Sequence, residues 1–318
     1  MNLADHSIKN SLVTHSTIDH AVTLPVLGNG ATLTTYFLND PADGTATEST
    51  GTPRPLVVIT PGGGYNHLST REGEPIALRM NQEGFHACVL RYSVSPAVWP
   101  QPLLELAATV AWCRAHAADY GIAPDRIILC GFSAGAHLAG CLGTMWNEPW
   151  IIQRLNKALG STHDAVDGSD TNDAGDTNGL GIAGLHDITT ADIRPNAQIL
   201  SYPVITSGEF AHRGSFTYLT GGDTSLEPEL SLENRVNGDT APTFIWHTAT
   251  DRTVPMENSL LFAGALHRHG IPLELHIFPK GDHGIALGTE ATAMPDHDHV
   301  EPQVQYWPEL AANWIRAL

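Results

Sequence analysis

Ser133 lies between two glycines, Gly131 and Gly135, in the stretch "ILCGFSAGAHLAG" at 128–140. A serine hydroxyl is a weak nucleophile unless the backbone holds it beside a base. A tight turn from a strand into a helix does this, and glycines two positions either side of the serine remove the collisions that side chains would make there. The G-x-S-x-G spacing therefore predicts a nucleophilic serine on a strand-to-helix turn.

A nucleophilic serine needs a base and an acid, and two downstream loops supply candidates. Asp251 follows the apolar run "PTFIWHT", and His283 follows "LELHIFP". Both come directly after predicted strands, so in a parallel sheet they would lie at the same edge as Ser133. We expect His283 to take the serine proton and Asp251 to orient and stabilise the imidazole. Asp223 in "LTGGDT" is a rival acid, but its loop comes one strand too early.

The chain has 17 histidines, so position rather than residue type distinguishes His283. His247 and His276 lie within predicted strands, where packing or pairing explains them. His297 and His299, in "PDHDH", are expected to face solvent.

A glycine run upstream offers a second set of backbone N–H groups. The segment "TPGGGY" at 60–65 ends an apolar run, and its three glycines allow the backbone to approach a substrate oxygen closely. Glycine runs also mark ordinary flexible turns, but this one ends a predicted buried strand. We expect the N–H groups of Gly63, Gly64 and Ala134 to form an oxyanion hole, in which a donor typically contributes about 3 kcal/mol to the transition state.

Strands and helices alternate around these residues. Runs such as "PLVVIT" and "RIILC" are continuously apolar, which is typical of strands buried on both faces of a parallel sheet. Residues 20–38 instead alternate around "GNG", which predicts one or two antiparallel edge strands. The sequence therefore predicts the α/β class, with a mostly parallel central sheet and helices on both faces.

We predict that residues 1–318 form a single domain, because no internal repeat or second core is visible. The alternating pattern is interrupted over 146–196. Within that stretch, residues 160–182 are rich in Asp, Gly and Thr and nearly free of large apolar side chains. Such a composition does not offset the entropy lost on ordering, so 160–182 is predicted to be a mobile surface insertion.

Charge and composition exclude several classes of function. Lys and Arg total 16 against 34 Asp and Glu, a net charge of −18, so nucleic acid and anionic membranes are not expected as partners. The four cysteines lack C-x-x-C spacing, which favours buried free thiols in a reducing compartment. We find no secretory signal and no membrane-spanning run, so a cytoplasmic location is expected. No metal-ligand spacing or phosphate loop appears, so neither a metal nor a cofactor is expected.

Four motifs together carry a resemblance to a known family: "PGGGY…REGEPIAL", "GFSAGAHLAG", "TATDRTVP" and "GDHG". They resemble the small carbohydrate-esterase branch of the α/β-hydrolases, which includes acetyl-xylan-esterase-like and BD-FAE-like (feruloyl-esterase-type, dienelactone-hydrolase-like) proteins. The resemblance covers residues 20–318 apart from the acidic insertion. It implies the α/β-hydrolase fold and a triad of Ser133, Asp251 and His283. Pro61 stands where lipase-type relatives carry the histidine of HGGG, so the sequence leaves open how this loop is anchored.

The resemblance implies hydrolysis of short acyl esters, with acetyl groups on sugars or xylo-oligosaccharides as the expected substrates. The expected partner is thus a small-molecule ester, and the chain could also assemble as a homo-oligomer. Tyr65, Trp99 and Trp146 fall in or near predicted strand-end loops. They are candidates for the walls of an acyl pocket or for a sugar-stacking surface, although a role as ordinary core aromatics explains them equally well.

Three alternatives stay open. A peptidase or amidase of the prolyl-oligopeptidase type uses the same triad, but it usually carries a large gating domain, for which the residues ahead of "PLVVIT" are too few. A feruloyl esterase is the second alternative. The third is a non-catalytic α/β-hydrolase that serves in binding, although such proteins generally lack part of the triad or of the serine turn.

Overall fold

Eight strands form one sheet in the computed structural model, which describes residues 23–26, 30–38, 52–160, 185, 187–294 and 299–318. The strands are β1 (Thr23–Val26), β2 (Ala31–Tyr36), β3 (Arg54–Thr60), β4 (His86–Arg91), β5 (Ile122–Phe132), β6 (Ala197–Ser201), β7 (Thr243–Thr248) and β8 (Leu273–Phe278). Their order in the sheet is β1-β2-β4-β3-β5-β6-β7-β8. The pairs β1–β2 and β2–β4 are antiparallel, and every other neighbouring pair is parallel.

Helices cover both faces of this sheet. They are α1 (Glu74–Gln82), α2 (Gln101–Ala115), α3 (Ala117–Tyr120), α4 (Ala134–Met145), α5 (Pro149–Gly160), α6 (Thr190–Ile193), α7 (Arg213–Thr220), α8 (Glu257–Arg268) and α9 (Trp307–Ala317). Buried residues of α2, α4, α5 and α8 pack in one apolar cluster, and those of α1 and α9 pack in another. The predicted fold class, a mostly parallel sheet with helices on both faces, is confirmed.

Strand β3 shows why its sequence is continuously apolar. Leu56 and Val58 belong to the first cluster, whereas Val57 and Ile59 belong to the second. Successive side chains of a strand point to opposite faces, so a strand with a core on each side needs an apolar residue at every position. The one or two antiparallel strands predicted within 20–38 are β1, at the edge of the sheet, and β2 beside it.

Four features of the fold bear on the other predictions. Cys88, Cys113, Cys130 and Cys141 are all buried free thiols, as predicted. No helix in the described ranges is long and apolar enough to cross a bilayer. Except for Gly160, the last residue of α5, the predicted insertion at 160–182 lies outside the described residues. Helix α5 itself corrects the sequence analysis, which placed its residues in the interrupted stretch.

Candidate active site

Ser133 occupies a tight turn between β5 and α4 with φ +52° and ψ −116°. A non-glycine residue seldom adopts a positive φ, so this backbone is strained. The flanking glycines explain how the turn closes. A Cβ on Gly131 would lie 2.4 Å from Ala136 Cα, and a Cβ on Gly135 would lie 2.1 Å from the carbonyl oxygen of Thr60. Only glycine fits at either position, because both obstacles are backbone atoms.

The structure brings Ser133, His283 and Asp251 into one chain of hydrogen bonds at the carboxyl ends of β5, β8 and β7. Ser133 Oγ lies 2.7 Å from His283 Nε2, and His283 Nδ1 lies 2.7 Å from Asp251 Oδ2. Since a carboxylate only accepts, Nδ1–H donates to Asp251 and Nε2 is left to accept the serine proton. Asp251 Oδ1 accepts from the backbone N–H groups of Thr253 and Val254, each at 2.9 Å.

A second histidine contacts Asp251, and the sequence analysis did not assign it to the site. His247 is fully buried in β7, and its Nε2 lies 3.3 Å from Asp251 Oδ2 and 2.9 Å from the carbonyl oxygen of Val254. Burial by itself raises the pKa of Asp251, but hydrogen bonds from His247 and His283 outweigh that effect and place the pKa well below its ordinary value. Asp251 is therefore charged at neutral pH and can stabilise a protonated His283.

The glycine loop after β3 meets Ser133 in a single cleft of about 570 Å³, which Gly63, Gly64, Ser133 and His283 all line. Hydrogen bonds fix the peptide planes of the glycine loop. The carbonyl oxygen of Gly62 accepts from the N–H of Ser69 at 2.9 Å, and that of Gly63 accepts from two N–H groups at 3.1 Å. In a trans peptide the N–H points away from the carbonyl oxygen of the preceding residue. The same hydrogen bonds therefore fix the directions of the N–H groups of Gly63 and Gly64.

No acceptor among the described residues binds the N–H groups of Gly63 and Gly64. Ala134 is the first residue of α4, and the first N–H groups of a helix have no partner within the helix. All three predicted oxyanion donors are thus available beside Ser133. Gly63 also has φ +130°, and a Cβ there would lie 2.1 Å from the carbonyl oxygen of His67, so the loop requires glycine.

The three predicted pocket aromatics do not line the catalytic cleft, which corrects the sequence-based expectation. Tyr65 is 1% exposed and turns into the core, where its hydroxyl donates to His137 Nδ1 at 2.9 Å. Trp99 lines a separate cavity of about 360 Å³. Trp146 donates its indole N–H to the carbonyl oxygen of Asp239 at 2.9 Å. A position near a strand end did not determine which way these side chains point.

Polar side chains line the cleft instead, and the sequence analysis did not single them out. They include Asn66, His67, Arg71, Glu72, His212 and Thr253. His212 lies between β6 and α7, and its Nδ1 is 2.8 Å from the hydroxyl of Ser215. Burial lowers the pKa of His212, as does the nearby His283, so His212 is neutral at neutral pH. Its position after β6, at the same sheet edge as Ser133, could have identified His212 as a residue of the site from the sequence.

One further prediction about histidines fails. His299 is 2% exposed rather than solvated, whereas His297 lies outside the described residues. Over the ranges that the structure describes, no group of three or more His, Cys, Asp or Glu side chains is arranged to hold a metal ion.

A mostly parallel sheet that places a serine after β5, an acid after β7 and a histidine after β8 defines an α/β-hydrolase. Comparison with known proteins agrees. The BD-FAE family model matches residues 45–266, and the chain belongs to this family.

The chain is similar to proteins that carry xylanase and esterase names. Endo-1,4-beta-xylanase B of Butyrivibrio fibrisolvens is 33% identical over 74% of this chain and 33% of its own length. Acetylxylan esterase of Xylanibacter ruminicola is 28% identical over 73% of this chain and 41% of its own length. The acetyl ester-xyloside bifunctional hydrolase of Caldicellulosiruptor lactoaceticus has a TM-score of 0.67 and 35% identity, over 90% of this chain and 88% of that one.

The chain spans from 33% to 48% of the length of the curated relatives that it matches. The recognised resemblance is confirmed: the chain is an α/β-hydrolase of the BD-FAE family and is similar to proteins named as esterases and carboxylesterases.

Proposed function

We propose that the chain is a serine carboxylesterase that removes short acyl groups, principally acetyl, from carbohydrates by way of an acyl-enzyme on Ser133. The observation that carries this proposal is the chain of hydrogen bonds from Ser133 Oγ through His283 to the charged Asp251, in which Ser133 and His283 line the cleft. A serine held at 2.7 Å from a base that a carboxylate orients is the arrangement that acyl transfer requires.

The proposed reaction has two halves. Ser133 Oγ attacks the acyl carbon while His283 Nε2 takes the hydroxyl proton, and the carbonyl oxygen becomes an oxyanion that the N–H groups of Gly63, Gly64 and Ala134 bind. Each of these donors would lower the barrier by about 3 kcal/mol. The carbon–alcohol oxygen bond then breaks, and His283 gives its proton to the departing alcohol. In the second half, His283 takes a proton from water as the water oxygen attacks the acyl carbon. The bond between Ser133 Oγ and the acyl carbon then breaks, and His283 returns its proton to Ser133 Oγ as the acid leaves.

The composition of the cleft supports a hydroxylated alcohol portion. Its lining offers hydrogen-bonding groups on several sides, from Asn66, His67, Arg71, His212 and Thr253. Sugar hydroxyls need such donors and acceptors, because a polar group that leaves water without a partner costs binding energy. Large apolar lining residues are few, Leu68, Tyr218 and Met294 among them. The names of two relatives, an acetylxylan esterase and an acetyl ester-xyloside bifunctional hydrolase, support the same substrate class.

The test is hydrolysis of 4-nitrophenyl esters from acetate to octanoate, 4-nitrophenyl ferulate, acetylated xylo-oligosaccharide and a 4-nitroanilide, by the native chain and by Ser133→Ala. We expect acetate to be the best acyl group and Ser133→Ala to lower kcat by at least about 10⁴-fold. Ser225→Ala, which changes an exposed serine outside the cleft, should match the native chain. Activity that survives Ser133→Ala would refute the mechanism. Preference for octanoate, for ferulate or for the anilide would refute the assigned substrate class.

A further inference from the structure

The carboxylate of Glu72 is buried directly beneath the glycine loop. Glu72 is 2% exposed, and its Oε2 accepts from the backbone N–H of Gly62 at 2.8 Å. A Cβ on Gly62 would lie 2.8 Å from that same oxygen and 3.0 Å from Ser133 Cβ. The carboxylate therefore holds the loop at Gly62, the residue that lies beside Ser133 and just before the predicted oxyanion donors.

The other oxygen of Glu72 holds the histidine loop through Tyr202. Glu72 Oε1 accepts from the Tyr202 hydroxyl at 2.7 Å, and that hydroxyl accepts from the N–H of Ala286 at 3.1 Å. The Tyr202 ring also packs edge-on against the His283 ring, with their centroids 5.2 Å apart. Burial, and then the Glu72 carboxylate, raise the pKa of Tyr202, so its hydroxyl keeps the proton that it donates.

A second contact ties the same short turn to the histidine loop. Arg71 Nη1 donates to the carbonyl oxygens of Gly284, at 2.8 Å, and Thr292, at 2.9 Å. Gly284 is the residue directly after His283. The consecutive residues Arg71 and Glu72 thus contact the catalytic base's loop at two points, and Glu72 contacts the glycine loop as well.

We propose that Glu72 is a positioning residue that fixes the oxyanion loop and the His283 loop relative to each other, with Tyr202 as its relay. The inference rests on the proposed esterase function. Glu72 supplies one anchor, beside the Tyr92 hydroxyl that donates to the Pro61 carbonyl oxygen at 2.7 Å, for a loop in which Pro61 stands in place of a histidine. A proline side chain donates no hydrogen bond. Donors and base must both lie within a few tenths of an ångström of their working positions, so loosening this link reduces the rate of reaction rather than substrate binding.

Glu72→Gln and Tyr202→Phe test the link. The amide of Gln cannot accept from both Gly62 N–H and the Tyr202 hydroxyl, and Phe removes the relay hydroxyl alone. We expect either variant to lower kcat on 4-nitrophenyl acetate by about 10- to 100-fold per active site, with KM changed less than about twofold. The number of active sites is counted from the burst of 4-nitrophenol or by a fluorophosphonate probe. Because both changes interrupt one network, the kcat of the double variant should be only slightly below that of the less active single variant.

Glu105→Gln is the matched control. Glu105 is a fully buried carboxylate that also accepts from a backbone N–H, at 2.7 Å, and a hydroxyl, at 2.6 Å, both of Ser93, but it lies in α2 and does not line the cleft. We expect this variant to lose thermal stability while it keeps the native kcat per active site.

The outcomes separate the two proposals. A native chain that shows no Ser133-dependent hydrolysis overturns the proposed function. A native chain that is active, with Glu72→Gln and Tyr202→Phe both retaining native kcat per titrated site, overturns this inference alone. If Glu72→Gln does not fold, Tyr202→Phe decides the question by the same measurement. A rate loss that disappears once the active sites are counted marks a merely structural role and also overturns the inference.

Discussion

The charge of Asp251 is the residue-scale feature on which the proposed chemistry depends. Two histidines and two backbone N–H groups donate to its carboxylate, and the net effect is a pKa well below the ordinary value. The direction of this pKa shift determines how the contribution of Asp251 to the stability of the fold changes with pH. Ionised Asp251 stabilises the fold above its ordinary pKa, and this contribution is lost as the pH falls through the lowered value.

Asp251→Asn should lower kcat on 4-nitrophenyl acetate by about 10⁴-fold, because an amide favours the wrong tautomer of His283 and does not stabilise the imidazolium. The rate is measured per active site at neutral pH. The control is Asp223→Asn at the rival acid, which is exposed and caps a short turn through the N–H of Ser225 at 3.0 Å. That variant should retain native activity. Equal losses in the two variants would contradict the assignment of Asp251.

At the scale of elements, the turn between β5 and α4 depends on how closely α4 approaches the end of β3. A Cβ at Gly135 would lie 2.1 Å from the carbonyl oxygen of Thr60 and 2.4 Å from that of Pro61. These two residues lead directly into the glycine loop. A small displacement of α4 from β3 would therefore move the oxyanion donors away from Ser133.

Gly135→Ala should destabilise the fold by about 1–3 kcal/mol and lower kcat more than about 100-fold, since backbone must move to admit the methyl group. Urea unfolding and kinetics with 4-nitrophenyl acetate measure the two effects. Gly264→Ala in α8 is the control, because its Cβ would make only an ordinary 3.5 Å contact with Arg268. It should stabilise the fold by up to about 1 kcal/mol through helix propensity and leave kcat unchanged. Native stability and kcat in Gly135→Ala would contradict this account.

The sequence predicted the elements of the sheet and the placement of Ser133, Asp251 and His283 for one physical reason. The carboxyl ends of parallel strands share an edge, so the order of strands along the chain is enough to bring these loops together. Side-chain direction within a loop has no such rule. Tyr65 has φ +60°, and the resulting turn sends its ring into the core, which a strand-end position alone could not reveal.

Glu72 and α5 are two other features that the sequence-based prediction missed. A buried carboxylate is rare, and only the three-dimensional approach of Gly62 and Tyr202 explains why Glu72 is buried. In α5, Ile151 and Leu155 are fully buried at helical spacing, so the pattern was present in the sequence. It was hidden by the polar composition of the residues that follow it.

At the scale of the whole molecule, buried His137 makes the stability of the fold depend on pH. It lies in α4, accepts from the Tyr65 hydroxyl at 2.9 Å and donates Nε2–H to the carbonyl oxygen of Leu230 at 2.8 Å. Burial lowers the pKa of His137 to about 4, although the hydrogen bond to Leu230 opposes the shift. The folded chain thus keeps His137 neutral over a range in which the unfolded chain binds a proton.

The sign and size of the effect follow from that difference. Above its ordinary pKa, near pH 6.5, His137 is neutral in both states and the pH does not affect its contribution. As the pH falls toward 4, the unfolded state gains a proton that the folded state refuses, so stability is lost. A shift from about 6.5 to about 4 corresponds to about 3 kcal/mol.

His137→Gln should therefore flatten the pH dependence of the free energy of unfolding. Gln can still donate to Leu230 and accept from Tyr65, but it does not titrate. Urea unfolding at several values between pH 7.5 and pH 4.5 should give a native curve that falls more steeply than that of the variant, with the difference approaching about 3 kcal/mol at the acid end. His267→Gln, at an exposed histidine of α8, removes a histidine without touching the buried network and should keep the native slope. Parallel curves for the native chain and His137→Gln would show that the acid sensitivity of the fold resides elsewhere.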